Sequence, residues 1–138
     1  MIGILLVAHG EIGAALYNSA SKILGKEPED IGYISINSND DINHYEKIIQ
    51  EKLINLDGGE GVLVMSDMYG ATPTNILKKL NQSKKFDVIA GLNLPMLMQA
   101  LTNRDIPLDD LINNCIKYGK QNIFNITNND QNSNSNNK

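Results

Sequence analysis

Two hydrophobic rhythms alternate along the chain. Residues 2–8 form an unbroken apolar run, which suits a central strand covered on both faces. The pattern then changes: Ile12, Ala15, Leu16, Ser19, Ala20, Ile23 and Leu24 recur at helical spacing, and Gly25 suits a left-handed C-terminal cap. A second strand is predicted over Ile31–Ile36. The Ser38-to-Asp41 stretch resembles a helix start, and Ile42, Tyr45, Ile48, Ile49, Leu53 and Leu56 share one helical face. Asp57-Gly58-Gly59 ends that helix, and residues 61–65 form a third apolar strand. After the loop SDMYGATPTN, Ile76, Leu77 and Leu80 begin another helix. A fourth strand over Phe86–Ala90 leads through GLNLP into a helix over 96–101, and Pro107 precedes a last helix over about 108–118.

Strands that alternate with helices imply right-handed crossovers. The fold class is therefore α/β: an open, mainly parallel four-stranded sheet, order 2-1-3-4, with helices on both faces. Residues 123–126 (IFNI) are a candidate fifth, antiparallel edge strand. The predicted domain spans 1–126. Residues 127–138 (TNNDQNSNSNNK) are all polar, so they cannot offset their ordering entropy and read as a disordered tail or linker stub.

Composition narrows the function. At 138 residues the chain fits one domain with a real core. A net charge of −4 and a single arginine, Arg104, argue against a nucleic-acid partner, which needs a basic face. No stretch approaches the roughly 18 apolar residues of a membrane span, and the N-terminus reads as a buried strand rather than a signal peptide, so the expected location is cytoplasmic. The one cysteine, Cys115, lies in a helical apolar stripe and reads as a core thiol. His44 falls opposite the apolar face of its helix and reads as solvent-exposed. His9, His44, Asp67 and Cys115 lack any zinc-ligand spacing, so no metal is expected.

Candidate chemistry sits at the strand ends, where open parallel sheets place their sites. His9 follows the first strand and Asp67 follows the third at the same offset. In the order 2-1-3-4 these strands are neighbours and the side chains can meet. A carboxylate on one ring nitrogen fixes the histidine tautomer and leaves the other nitrogen a free lone pair. The surroundings favour a phosphorus electrophile. Gly10 lets backbone amides approach at one helix start, and Gly70-Ala71-Thr72-Pro73 offers a second, with Thr72 as cap. Converging helix N-termini favour a bound anion. There is no Walker pattern and no GxGxxG, and HGEIG is a poor match to a nucleotide- or flavin-binding loop.

His9 within VAHG, Asp67 within SDMYGATPTN, and Gly91 to Leu97 (GLNLPML) together resemble the IIA component of the mannose-type sugar phosphotransferase system, over about residues 1–124. The resemblance implies a phosphotransferase: His9 takes a phosphoryl group from phospho-HPr and gives it to a histidine of the IIB component, with Asp67 orienting the ring. IIB then phosphorylates a sugar brought in by a IIC/IID permease, and those membrane components contact the sugar. Gly10, Gly70, Ala71 and Thr72 become the phosphoryl-binding residues, although family members often carry an aromatic, two glycines and a serine where this chain has Tyr69-Gly70-Ala71-Thr72. No cofactor is implied, because the energy resides in the donor's phosphohistidine. Met68 and Tyr69 are either a docking rim for HPr or inward-packing loop residues. Family members are typically homodimers, some by exchanging a C-terminal strand, for which residues 123–126 are the match. A regulatory IIA protein, whose phosphorylation state controls another protein without a dedicated permease, has the same sequence signature. The phosphotransfer subunit of dihydroxyacetone kinase shares the fold and the histidine but not the DxxGxTP loop.

Overall fold

The computed structural model describes residues 1–37, 40–69, 72–81 and 86–128, with the side chains of residues 72 and 73 outside that description. The strands are β1 (Gly3–His9), β2 (Ile31–Ile36), β3 (Val62–Ser66) and β4 (Phe86–Ala90). The helices are α1 (Ile12–Leu24), α2 (Ile42–Leu56), α3 (Thr72–Leu80), α4 (Leu94–Thr102) and α5 (Leu108–Gln121). All strand pairs are parallel, in the order β2-β1-β3-β4. The expected α/β class and strand order are both observed.

Strand alternation divides the core in two. Ile4, Leu6, Leu63, Met65 and Ile89 face one side, with Leu97 and Ala100 of α4 and Leu111 and Cys115 of α5. Leu5, Val7, Ile34, Ile36, Val62 and Val64 face the other, with Tyr45 and Ile49 of α2 and Ile76 and Leu77 of α3. The central strands are sealed by both layers, which is why their sequence reads as continuous apolar runs. Cys115 is buried as expected, and burial pushes its thiol up to about 11. His44 is exposed, also as expected.

Helix α1 departs from its expected face. Ile12 and Ile23 are exposed, as are Ala15 and Ser19, whereas Gly13 and Ala20 are buried and Leu16 and Tyr17 pack partly against the core. The reason is steric. A Cβ on Gly13 would lie 3.3 Å from the Tyr33 Cβ and 3.7 Å from that of Leu6, so the helix docks through its smallest residues. A count of apolar side chains gives glycine no weight and therefore misses the rotation.

Residues 123–126 do not form a fifth strand in this chain. They leave α5 irregularly, and Ile126–Asn128 is a short 3-10 turn. Ile123 and Ile126 are largely exposed, so no apolar layer of the chain recruits them into the sheet. Of the tail, Thr127 and Asn128 belong to that turn, and residues 129–138 lie outside the described residues.

The end of the sheet opposite His9 is held by Arg104, buried beneath β1. Its Nη1 donates to the carbonyls of Ile2 (3.3 Å) and Asp30 (3.2 Å), and its Nη2 donates to that of Glu29. These bonds tie together carbonyls at the starts of β1 and β2, and that of Asp30 also accepts the Ile4 N–H at 3.0 Å. Gly3, beside them, packs against the end of α2, where a Cβ would collide with the Leu56 carbonyl oxygen. Gly3→Ala should therefore cost about 1–3 kcal/mol, read as a lowered urea midpoint with an unchanged m-value.

Candidate functional site

His9 is the last residue of β1, and Asp67 follows directly on β3. Parallel register sets Val7 beside Ser66, so His9 ends its strand one residue beyond the position opposite Asp67, and the two side chains meet there. The Asp67 carboxylate binds His9 twice. Its Oδ2 accepts the His9 backbone N–H at 3.1 Å and lies 2.9 Å from the ring Nδ1. Its other oxygen, Oδ1, accepts the Met68 backbone N–H at 2.9 Å. With the carboxylate as acceptor, Nδ1 carries the proton and Nε2 keeps its lone pair. The His9 side chain is 37% exposed and that of Asp67 12%, so the carboxylate is sheltered while the ring reaches solvent.

Burial alone would raise the Asp67 pKa. The hydrogen bonds from the backbone and ring of His9, the charge of His9 and its own backbone N–H outweigh burial and hold the carboxyl below its ordinary value. Asp67 is therefore ionised at neutral pH, as the pairing requires.

Backbone bonds fix the surroundings of the pair. Gly10 turns the chain out of β1 at φ +50°, a left-handed conformation that favours glycine, and its N–H donates to the Ile36 carbonyl of β2 at 3.1 Å. The N-cap of α1, Glu11, makes no side-chain cap bond, so its side chain does not occupy the amides of the first helical turn. The GLNLP motif has a visible role. Leu92 N–H donates to the carbonyl of Ser66 at 3.0 Å, pinning the residue just before Asp67. Asn93 Oδ1 accepts the Met96 N–H at 2.9 Å, capping α4, while its Nδ2 donates to the Gly119 carbonyl of α5 at 3.2 Å. The Asn-x-Pro pattern was the available signal for that cap.

Of the residues expected to bind phosphate, Gly10 lies at the pair, Gly70 and Ala71 lie outside the described residues, and Thr72 is described only as the first residue of α3. Met68 and Tyr69 are 60% and 70% exposed, which excludes inward packing. Ile12 at the start of α1 is also exposed. Among the described residues, no helix is long and apolar enough to cross a membrane.

The family model described as "PTS system fructose IIA component" matches residues 3–116. The chain belongs to this IIA family. It is 30% identical over 125 residues to the mannose-specific EIIAB component of Escherichia coli K12, covering 88% of this chain and 38% of that protein. It is 29% identical over 123 residues to the fructose-specific EIIA component of Bacillus subtilis 168, covering 88% of this chain and 84% of that one. Among solved structures it resembles the phosphotransferase system component EIIA of Streptococcus agalactiae, with a TM-score of 0.83 at 30% identity over 93% of this chain and 99% of that one. The chain thus spans little more than a third of the E. coli relative, whereas it matches nearly the whole of the streptococcal IIA chain.

Because the folded-state pKa of Asp67 is depressed, its pairing stabilises the protein above the ordinary carboxylate value of 3.8. That contribution is lost as pH falls through the lower, folded-state value. Asp67→Asn should therefore destabilise the chain at neutral pH, and the gap between variant and wild type should close in strong acid. Urea unfolding of both proteins between pH 7 and pH 2 measures it.

Proposed function

We propose that this chain is a cytoplasmic phosphocarrier in which His9 accepts a phosphoryl group from phospho-HPr and donates it to a histidine of the IIB component, serving sugar uptake through a IIC/IID permease. The observation that carries this reading is the Asp67–His9 pair, which protonates Nδ1 and leaves Nε2 as the exposed lone pair. In the transfer, Nε2 attacks phosphorus in line with the donor's P–N bond. The new P–N bond forms as the old one breaks, and the leaving pair of electrons returns to the donor nitrogen. Nδ1 keeps its proton and Asp67 keeps accepting it, so the positive character that develops on the ring is offset by a carboxylate already in place.

Little covalent chemistry is left for the protein. Exchange between two imidazoles is nearly isoenergetic, so rate acceleration comes from positioning and electrostatic support. The uncapped first turn of α1, next to Gly10, is suited to the phosphoryl oxygens. Gly70, Ala71 and Thr72, as the start of α3, would complete the cradle. The exposed Ile12, Met68 and Tyr69, close in sequence to His9 or Asp67, would supply apolar contacts for a partner protein. No metal or nucleotide takes part in this scheme.

Incubation with enzyme I, HPr and labelled phosphoenolpyruvate should place acid-labile, base-stable label on the wild type and none on His9→Ala. Unchanged labelling of that variant, or an unlabelled wild type, would overturn the reading. Asp67→Asn should fold but slow the transfer by on the order of 10²–10⁴-fold, since it loses the acceptor that sets the tautomer.

We also infer a homodimer, supported by the exposed apolar segment at residues 123–126, in which Ile123 is 73% and Ile126 77% exposed. In a dimer this segment would pair with the partner copy as the fifth strand missing from the single chain. Sedimentation equilibrium should give twice the mass of one chain for wild type. It should give a single-chain mass for a variant carrying Ile123→Asp and Ile126→Asp.

A further inference from the structure

The turn that leaves β2 beside His9 is fastened by a side chain from α2 that the phosphotransfer chemistry does not use. Tyr45 is 5% exposed, with its ring in the core layer formed with Ile36 and Ile49. Its hydroxyl has two partners. It accepts the Asn37 backbone N–H at 3.0 Å, and it donates to Asp40 Oδ2. The Asp40 backbone N–H in turn donates to the Asn37 carbonyl at 3.2 Å. Asn37 is the first residue beyond β2, where a backbone N–H has lost its ladder partner and would otherwise need water.

This fastening leads directly to the reacting histidine. Ile36, the residue before Asn37, is the register partner of His9, and its carbonyl accepts the Gly10 N–H. His9 is therefore held from two sides. On the β3 side, the Asp67 carboxylate takes its backbone and ring N–H groups. On the β2 side, Ile36 takes the N–H of the next residue, and the end of β2 is located by the Tyr45 hydroxyl. Gly10 is the hinge between these anchors, because its left-handed conformation sets the angle at which His9 leaves the strand.

We propose that the Tyr45–Asp40 pair is a positioning device for phosphoryl transfer: by holding the end of β2, it fixes the turn at Gly10 and so the orientation of the His9 ring. Tyr45 and Asp40 touch neither the ring nor the phosphoryl group. They act through Asn37, Ile36 and Gly10. A buried tyrosine ring alone would supply the packing, so the two-partner hydroxyl is the feature that packing leaves unexplained. Asp40 is itself exposed and takes no part in the core, so its carboxylate serves this turn.

The test uses the full chain with three substitutions. Tyr45→Phe keeps the ring and removes the hydroxyl, Asp40→Ala removes the acceptor, and Asp40→Asn retains an acceptor oxygen. Two measurements are made on each: kcat and KM for transfer from phospho-HPr, and the ¹⁵N–¹H spectrum of the His9 imidazole, with exposed His44 as internal reference. In Tyr45→Phe and Asp40→Ala, kcat should fall about tenfold with KM nearly unchanged, as expected for a misplaced nucleophile. Their His9 spectra should move from a single Nδ1–H tautomer toward a mixture. Asp40→Asn should match wild type in both measurements. Any other pattern overturns the proposal, including a Tyr45→Phe protein that loses thermal stability while keeping the wild-type rate and spectrum. The kinetic arm rests on the phosphocarrier reading and the spectroscopic arm does not. If the wild type accepts no phosphate, that reading fails by itself, and the His9 spectra alone decide for or against the positioning role.

Discussion

One carboxylate holding two N–H groups of the same residue is the constraint on which this site depends. A bond to the His9 ring alone would leave the ring free to swing about its own backbone. A bond to the backbone alone would leave the tautomer undetermined. Asp67 does both with one oxygen and keeps the other for the Met68 amide, so both strand ends and the imidazole form one rigid unit. The arrangement is electrostatically self-consistent, because the hydrogen bonds that orient the ring also keep the carboxyl ionised against the opposing effect of burial.

The rest of the fold brings that unit into being. Parallel pairing of β1 with β3 brings the two strand ends within reach of each other, and a slip of one residue would turn the side chains of an entire strand to the opposite face. Two apolar layers resist such a slip, since Leu5 and Val7 must meet one set of helices while Ile4 and Leu6 meet the other. At the far end Arg104 satisfies carbonyls of both β1 and β2 neighbourhoods. At the near end Leu92 pins Ser66, and Asn93 joins α4 to α5. Each is an interaction distant in sequence that spares His9 the freedom a strand terminus usually has.

Under the proposed phosphocarrier function, the chemical demand on this site is modest. A donor that already carries an activated phosphoryl group requires only a nucleophile held in line and a pocket that tolerates its negative charge. The site brings together an imidazole that reaches solvent, a nearby helix start without a side-chain cap, and the exposed Met68 and Tyr69. Under the same proposal, that combination serves a protein donor docking face to face. Under the proposed homodimer, the exposed apolar residues 123–126 would supply a strand to the open sheet edge of a second copy.

Much of the fold was legible in the sequence, because burial follows periodicity. Continuous apolar runs marked β1 and β3 as central, and helical spacing with capping residues located the helices to within a few positions. The sequence places His9 and Asp67 at the ends of two strands, and it shows GLNLP as a motif without a role. What only the tertiary structure decided were contacts between residues far apart in the chain. Asp67 and His9 are 58 residues apart, and nothing local states that one oxygen takes both N–H groups. The face of α1 was misjudged because close helix–sheet approach selects Gly13, a residue with no hydrophobic signal. The Tyr45 hydroxyl was invisible for the opposite reason: its ring fits the apolar stripe so well that the pattern classified it as core. Periodicity records which side of an element is buried, while the direction of each polar atom is set by the neighbours that folding brings to it.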